Sequence, residues 1–319
     1  MEYREFGRTG CKVSLIGMGT YYDESYIFVS SLLRNQSWRG LNVRSFVFES
    51  MGLFRRSKIA TLRKWLNVLR EQGGRSEKIA ALKKGLELGI NLIDTAEIYA
   101  TEDIVAEAIE DCRRDNLFVV TKVSGDHLRY VDVLKAADNS LRRLKCSYID
   151  LYMVHWPNPR VSIEETMKAM EKLVENGKVR FIGVSQFSLE QMRRAEEALS
   201  KNKLASNQVE FNLMNRGIEE GLLPYCEQKG IALMSHRPIA VGALADPDEK
   251  LKTVMNEISQ KFGGKTPAQI ALNWLVTKSK VIFPIPRASR PERVIENVGS
   301  VGWSLDADDM RKLEACAYL

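Results

Sequence analysis

An α/β chain folded as a closed (β/α)8 TIM barrel is what this sequence predicts, on three observations. Short apolar runs alternate with amphipathic segments, the runs number eight, and Asp94, Tyr99, Lys122 and His155 stand at or just past the ends of three successive runs, NLIDT, LFVVTK and YIDLYMVHW. In such a barrel the C-terminal strand ends converge, so polar residues scattered along the chain become neighbours at one mouth.

The elements follow in order. EYREF and CKVS flank GRTG, whose glycines allow a tight turn, and read as an N-terminal hairpin. SLIGMG is the first buried strand. After residue 76, SEKIAALKKGLELG carries Ile79, Leu82 and Leu86 on one helical face and stops at Gly89. Then come strand NLIDT, helix 101–113, strand LFVVTK, helix 131–145, strand YIDLYMVHW, helix 162–176, strand KVRFIGVS, helix 188–199, strand ASNQVEF, helix 216–229 and strand GIALMSH. Ser162 with Glu165, Ser188 with Gln191 and Thr266 with Gln269 have capping-box spacing, and Pro267 suits a first helical position. VIFPIP is the eighth strand, followed by helices near 291–300 and 306–316. Residues 1–319 read as one barrel domain with no internal repeat or linker.

One segment breaks this order. Between the first strand and its helix, residues 24–76 form a long insertion with ten Arg or Lys against Glu24, Glu49 and Glu71, a net +7 in a chain of net +6. The charge therefore belongs to the insertion and not to the barrel, so no nucleic-acid partner is expected of the barrel. Within it SKIATLRKWLNVLREQGG has Ser57 as an N-cap, Ile59, Leu62, Trp65, Leu66 and Leu69 along one face, and a Gly73-Gly74 stop, the pattern of an amphipathic helix. It leaves from the catalytic mouth. A lid over the substrate, a solvated decoration, and a contact surface for a protein or an anionic membrane are the three readings.

Other classes of function are disfavoured. Cys11, Cys112, Cys146, Cys226 and Cys316 are odd in number and scattered, as in a reduced cytoplasmic protein. The N-terminus lacks the apolar core of a signal peptide, and no run approaches the roughly 20 apolar residues of a membrane span. His127, His155 and His236 are the only histidines and have no metal-ligand spacing, so no metal is expected. Gly17-Met18-Gly19 is followed by Thr20, Tyr21 and Tyr22 where a dinucleotide fingerprint needs a further glycine and a helix start. What remains is proton transfer by side chains. A phenol titrates near 10, so Tyr99 as a general acid needs a cation beside it; Lys122 is available, Asp94 would hold the ammonium, and His155 would orient a carbonyl oxygen.

The segments GRTGCKVSLIGMGT, LGINLIDTAEIY, VVTKV, IDLYMVHWP, GKVRFIGVSQFS, NQVEFN, KTPAQIALNW and IPIPRASRPERVIENV, in this order, resemble the aldo-keto reductase family over about residues 1–23 and 77–305. The resemblance implies a nicotinamide cofactor bound in extended form, NADP(H) rather than NAD(H), and hydride delivery to a small aldehyde or ketone. It assigns Tyr99 as general acid, Lys122 as its cation, Asp94 as the carboxylate supporting Lys122, and His155 as the substrate-orienting imidazole. For the cofactor it implies Gly19 and Thr20 at the first strand end, Ser185, Gln186 and Gln208 at the carboxamide, and His236 in place of a stacking aromatic ring. Gln186 stands where the family commonly has Asn. RPIAVGAL departs from the usual loop, which puts Arg237 near the pyrophosphate, and Arg287 and Arg293 match the 2′-phosphate site, with Glu296 and Asn297 at the adenine. A cofactor-binding regulatory subunit on the same fold is the alternative function; oligomeric state and substrate are left open.

Overall fold

The computed structural model describes residues 1–22 and 74–317. Its centre is a ring of eight parallel strands in chain order: β3 (Met18–Gly19), β4 (Leu92–Asp94), β5 (Phe118–Val123), β6 (Ile149–Val154), β7 (Val179–Ser185), β8 (Leu204–Glu210), β9 (Ala232–His236) and β10 (Ile282–Pro284). The ring closes at its seam. Gly17 N–H donates to the Pro284 carbonyl at 2.9 Å, Gly19 N–H to the Pro286 carbonyl at 3.1 Å, and Gly19 bridges to Arg287. A Cβ on Gly17 would lie 2.9 Å from Ile285 Cγ2, and one on Gly19 2.9 Å from the Ile285 carbonyl. The two glycines of the Gly-Met-Gly run are thus explained by close packing at the seam, against side chains at Gly17 and against backbone at Gly19.

Strand identity follows burial. Every residue of β5 and β6 is buried, as expected for strands covered on both faces, which is why they read as continuous apolar runs. The described α-helices are α1 (Arg75–Glu87), α2 (Glu102–Ala108), α3 (Tyr130–Leu144), α4 (Ile163–Glu175), α5 (Leu189–Ala198), α6 (Leu222–Lys229), α7 (Glu249–Lys261), α8 (Pro267–Lys278), α9 (Pro291–Val298) and α10 (Ala307–Cys316), and buried residues from each share one large apolar cluster with outward side chains of the strands. Ser188 and Thr266 form complete capping boxes with Gln191 and Gln269. Ser162 makes only half of one, because the Glu165 carboxylate accepts instead from the Tyr130 backbone N–H at 3.0 Å and ties α4 to α3.

Three helices depart from the sequence reading. Helix α2 ends at Ala108 rather than 113, with a separate 3-10 turn at Arg114–Asn116. Helix α6 starts at Leu222 rather than 216, since Pro224 is tolerated only in a first turn. Helix α7 was not anticipated, although Asp248 caps it by accepting from Leu251 N–H and Leu251, Met255 and Ile258 line its buried face.

The bottom of the barrel, at the N-terminal strand ends, is plugged by the expected hairpin of β1 (Tyr3–Glu5) and β2 (Lys12–Ser14). Phe6, fully buried, sets its ring 4.8 Å from Phe118 and 4.9 Å from Phe283. Gly7 has φ +56°, and a Cβ there would sit 2.8 Å from the Ala232 nitrogen, so only glycine lets the plug seat. Of the 24–76 insertion, residues up to 73 lie outside the described residues, the expected helix of 57–74 with them; Arg75 and Ser76 already belong to α1.

Candidate active site

The four strand-end residues meet at the opposite mouth. Asp94, last in β4, and Lys122, next to last in β5, are 2% and 0% exposed, and Lys122 Nζ donates to Asp94 Oδ2 at 2.7 Å and to the Thr95 carbonyl at 2.9 Å. Gln208, in β8, donates from Nε2 to Asp94 Oδ1 at 2.9 Å. Tyr99 belongs to a 3-10 turn, Glu97–Tyr99, directly after β4, and its hydroxyl lies 3.1 Å from His155 Nε2. Lys122 Nζ stands 5.0 Å from the centroid of the Tyr99 ring.

Burial governs the electrostatics here. It raises the Asp94 pKa against the pull of Lys122 and Gln208, and lowers the Lys122 pKa against the pull of Asp94. Burial, then Lys122 and His236, lower His155 to about 2, so its imidazole is neutral. The Tyr99 phenol is raised well above its ordinary value, first by burial and then by Asp94 and Tyr21. The phenol of Tyr99 therefore keeps its proton at neutral pH. Lys122 itself is engaged by Asp94 and the Thr95 carbonyl.

The residues assigned to a cofactor fall into two groups. Ser185 and Gln208 are paired neighbours at the ends of β7 and β8, and Gln186 follows with φ +60°, its N–H on the Gln208 carbonyl. His236 ends β9; burial, then Arg237 and Lys122, lower it to about 3, and its buried Nε2 has no hydrogen-bond partner. Arg287 and Arg293 are exposed at the entry to α9, Arg293 held by Glu296 at 2.7 Å, with Asn297 buried beside them. Two residues are engaged elsewhere. Thr20 is fully buried, its hydroxyl 3.1 Å from the Asp94 carbonyl and 2.9 Å from the Thr101 hydroxyl, and Arg237 pairs with Glu210 at 3.0 Å. Gln186, Arg237, Ala240 and Val241 all have left-handed backbones, a concentration of strain in the segments that follow β7 and β9.

Sequence reasoning missed Tyr21, whose ring lies 4.8 Å from that of Tyr99, and Trp156, 4.7 Å from His155. The strand-end rule that found Asp94 applies equally to Tyr21, two residues past β3. Among the described residues no group of three or more His, Cys, Asp or Glu is arranged to hold a metal ion, and no helix is long and apolar enough to cross a membrane.

Comparison with known proteins agrees with this arrangement. The model of the aldo/keto reductase family matches residues 65–318. The methylglyoxal reductase YeaE of Escherichia coli is 35% identical over 243 residues, covering 75% of this chain and 84% of its own. The glyoxal reductase of Bacillus subtilis is 34% identical over 254 residues, covering 78% and 87%. Among solved structures, an aldo/keto reductase from Klebsiella pneumoniae in complex with NADP and acetate superposes with a TM-score of 0.76 at 29% identity, covering 99% of this chain and 96% of that one. The chain belongs to the aldo/keto reductase family.

Proposed function

We propose that this chain is an NADP(H)-dependent reductase of small aldehydes and ketones, with 2-oxoaldehydes such as methylglyoxal and glyoxal the first substrates to test. The observation that carries it is the Tyr99 hydroxyl 3.1 Å from a neutral His155, above a buried Lys122–Asp94 pair. The relatives named for methylglyoxal and glyoxal support the substrate class, and the NADP-bound neighbour supports the cofactor. The residues present suit that group. Exposed Arg287 and Arg293 carry guanidinium groups suited to a 2′-phosphate, His236 has a buried Nε2 without a hydrogen-bond partner, and Ser185 and Gln208, neighbours in register on adjacent strands, have the polar groups a carboxamide would need.

NADPH, when bound, supplies the hydride to the carbonyl carbon. Tyr99 and His155 converge on the carbonyl oxygen, His155 donating a hydrogen bond from Nε2 in the tautomer that carries the proton there. As the oxygen becomes an alkoxide, more basic than a phenoxide, Tyr99 transfers its proton and closes the reaction as an alcohol. Lys122, fixed by Asp94, provides the nearby positive charge that the transient phenoxide needs. The assembled four residues favour turnover over the regulatory-subunit alternative.

The test is oxidation of NADPH and NADH by the purified protein with methylglyoxal, glyoxal and simple ketones, beside Tyr99→Phe. NADPH is expected to be preferred, and Tyr99→Phe to lower kcat by about 10²- to 10⁴-fold while NADPH still quenches protein fluorescence with unchanged affinity. A Tyr99→Phe protein as active as wild type, or a wild type that binds no NADPH, would reject the assignment.

A further inference from the structure

Glu97 opens the 3-10 turn that carries Tyr99, and its carboxylate is aimed at the loop beyond β5. Oε1 accepts the Ser124 backbone N–H and lies 3.0 Å from His127 Nδ1, with the Glu97 side chain only 10% exposed. Ser124 is two residues past Lys122 and caps a second 3-10 turn, Gly125–His127. That turn is gripped from its other side by the residues after His155. Asn158 Nδ2 donates to the Gly125 carbonyl at 2.8 Å, and the Trp156 indole covers Gly125 so closely that a Cβ there would lie 2.0 Å from Nε1. The same indole packs 4.7 Å from the His155 ring.

These contacts form a closed loop. It runs from Tyr99 through Glu97 to the Ser124–His127 segment, on to Trp156 and His155, and back through the 3.1 Å phenol–imidazole contact. Between Thr95 and Thr101, the long-range hydrogen bonds among the described residues are those of Glu97 and Tyr99 themselves. Ile98 is half exposed and Ala100 is left-handed at φ +52°, so the turn holds a conformation that its own sequence does not favour. Something outside the turn must fix it, and the Glu97 carboxylate is the side chain that reaches out.

We propose that Glu97 is a positioning residue: by hydrogen bonding to the Ser124–His127 turn it sets where the Tyr99 hydroxyl stands relative to His155. It touches neither substrate nor cofactor and acts through the phenol. The inference rests on the acid role given to Tyr99, and its energetic content is orientation, where displacement by about 1 Å is enough to cost up to about 100-fold in rate.

Glu97→Ala, Glu97→Gln and Glu97→Asp test it with methylglyoxal and NADPH. Glutamine keeps an acceptor at the same reach and is expected to hold kcat within about threefold of wild type. Alanine removes the tie, and kcat should fall about 10- to 100-fold while the Kd for NADPH, read by fluorescence, and the substrate KM stay within twofold. Aspartate keeps the charge but withdraws the acceptor, and should resemble alanine; if alanine fails to fold, the Asp and Gln pair decides. Hydrogen exchange supplies a readout free of turnover: amides 96–101 should exchange faster in the alanine or aspartate variant, with those of β6 unchanged. Wild-type kcat and exchange without the acceptor, a Gln variant as impaired as Asp, or a loss shared equally by NADPH affinity would overturn the proposal. An inactive wild type would instead count against the reductase reading, and exchange would still decide whether Glu97 holds the turn.

Discussion

The two ends of the barrel each bury a carboxylate, and they treat it differently. At the bottom, Asp150 is fully buried but accepts from the Val119 N–H at 3.0 Å, from Arg114 at 2.6 Å and from Arg180 at 2.7 Å, and both guanidinium groups keep contact with water. At the mouth, Asp94 and Lys122 are buried together, and desolvation pushes each towards its neutral form. Beside the bottom carboxylate sit a close-packed aromatic plug and one buried unpartnered nitrogen, Arg114 Nε, on a guanidinium that is otherwise engaged; beside the upper pair sit two unpartnered imidazole nitrogens, His155 Nδ1 and His236 Nε2, and a rim of left-handed residues. The bottom is arranged for stability. The mouth accepts desolvated charge and unmet hydrogen bonds, costs a folded protein keeps where chemistry or a ligand uses them.

That contrast breaks or survives on a pair of variants with the largest expected effects. Phe6→Ala empties the space between Phe118 and Phe283 and should lower unfolding stability by about 3–5 kcal/mol with kcat unchanged. Asp94→Asn with Lys122→Met removes both charges of the upper pair while keeping similar volume, and should leave stability unchanged or raise it by about 1–4 kcal/mol, with turnover abolished. Urea unfolding and NADPH oxidation on the same preparations read both. A double variant as unstable as Phe6→Ala would mean that the mouth also supports the fold.

A smaller effect separates the cofactor rim from both ends. Arg293 is 64% exposed in its side chain and its ion pair with Glu296 lies at the surface, so Arg293→Ala should change stability by less than about 1 kcal/mol. If it holds a 2′-phosphate, the same substitution weakens NADPH binding by about 1.5–3 kcal/mol and leaves NADH binding untouched. Fluorescence titration with the two cofactors checks this, and equal losses for both would remove Arg293 from the phosphate site.

How much of this was legible in the sequence follows from the range of each interaction. The eight strands were, because a strand covered on both faces is written as an apolar run, and so was the hairpin, from its glycine-rich turn. That Asp94, Tyr99, Lys122 and His155 would meet was legible because strand ends in a barrel share one mouth. Helix α7 is written in the sequence too, in the Asp248 cap and the Leu251, Met255 and Ile258 face. Glu97 was not legible: its partners, Ser124 and His127, lie 27 and 30 residues away on another loop, and nothing local in DTAEIY distinguishes it from a solvated acid. Thr20 was read from position alone, whereas its hydroxyl joins β3 to Thr101 at the start of α2. The direction of the Tyr99 pKa was likewise beyond the sequence, since it depends on how far the phenol is buried.

The smallest effect concerns His236, and its sign separates a buried neutral imidazole from an exposed one. Burial lowers it to about 3 in the fold, against about 6.5 in an unfolded chain, so between these values the unfolded state binds the extra proton. Its contribution is intact above pH 6.5 and is lost as the pH falls towards 3. Between pH 7.5 and 5.5, wild type should therefore lose about 1.4 kcal/mol more than His236→Phe in urea unfolding, the work of one proton over one pH unit. Equal losses in the two proteins would place the imidazole in contact with water and remove one of the orphaned groups on which the contrast between the barrel's ends depends. A smaller loss in wild type would mean that the imidazole is stabilised as a cation at the mouth, which the neighbouring Arg237 and Lys122 oppose.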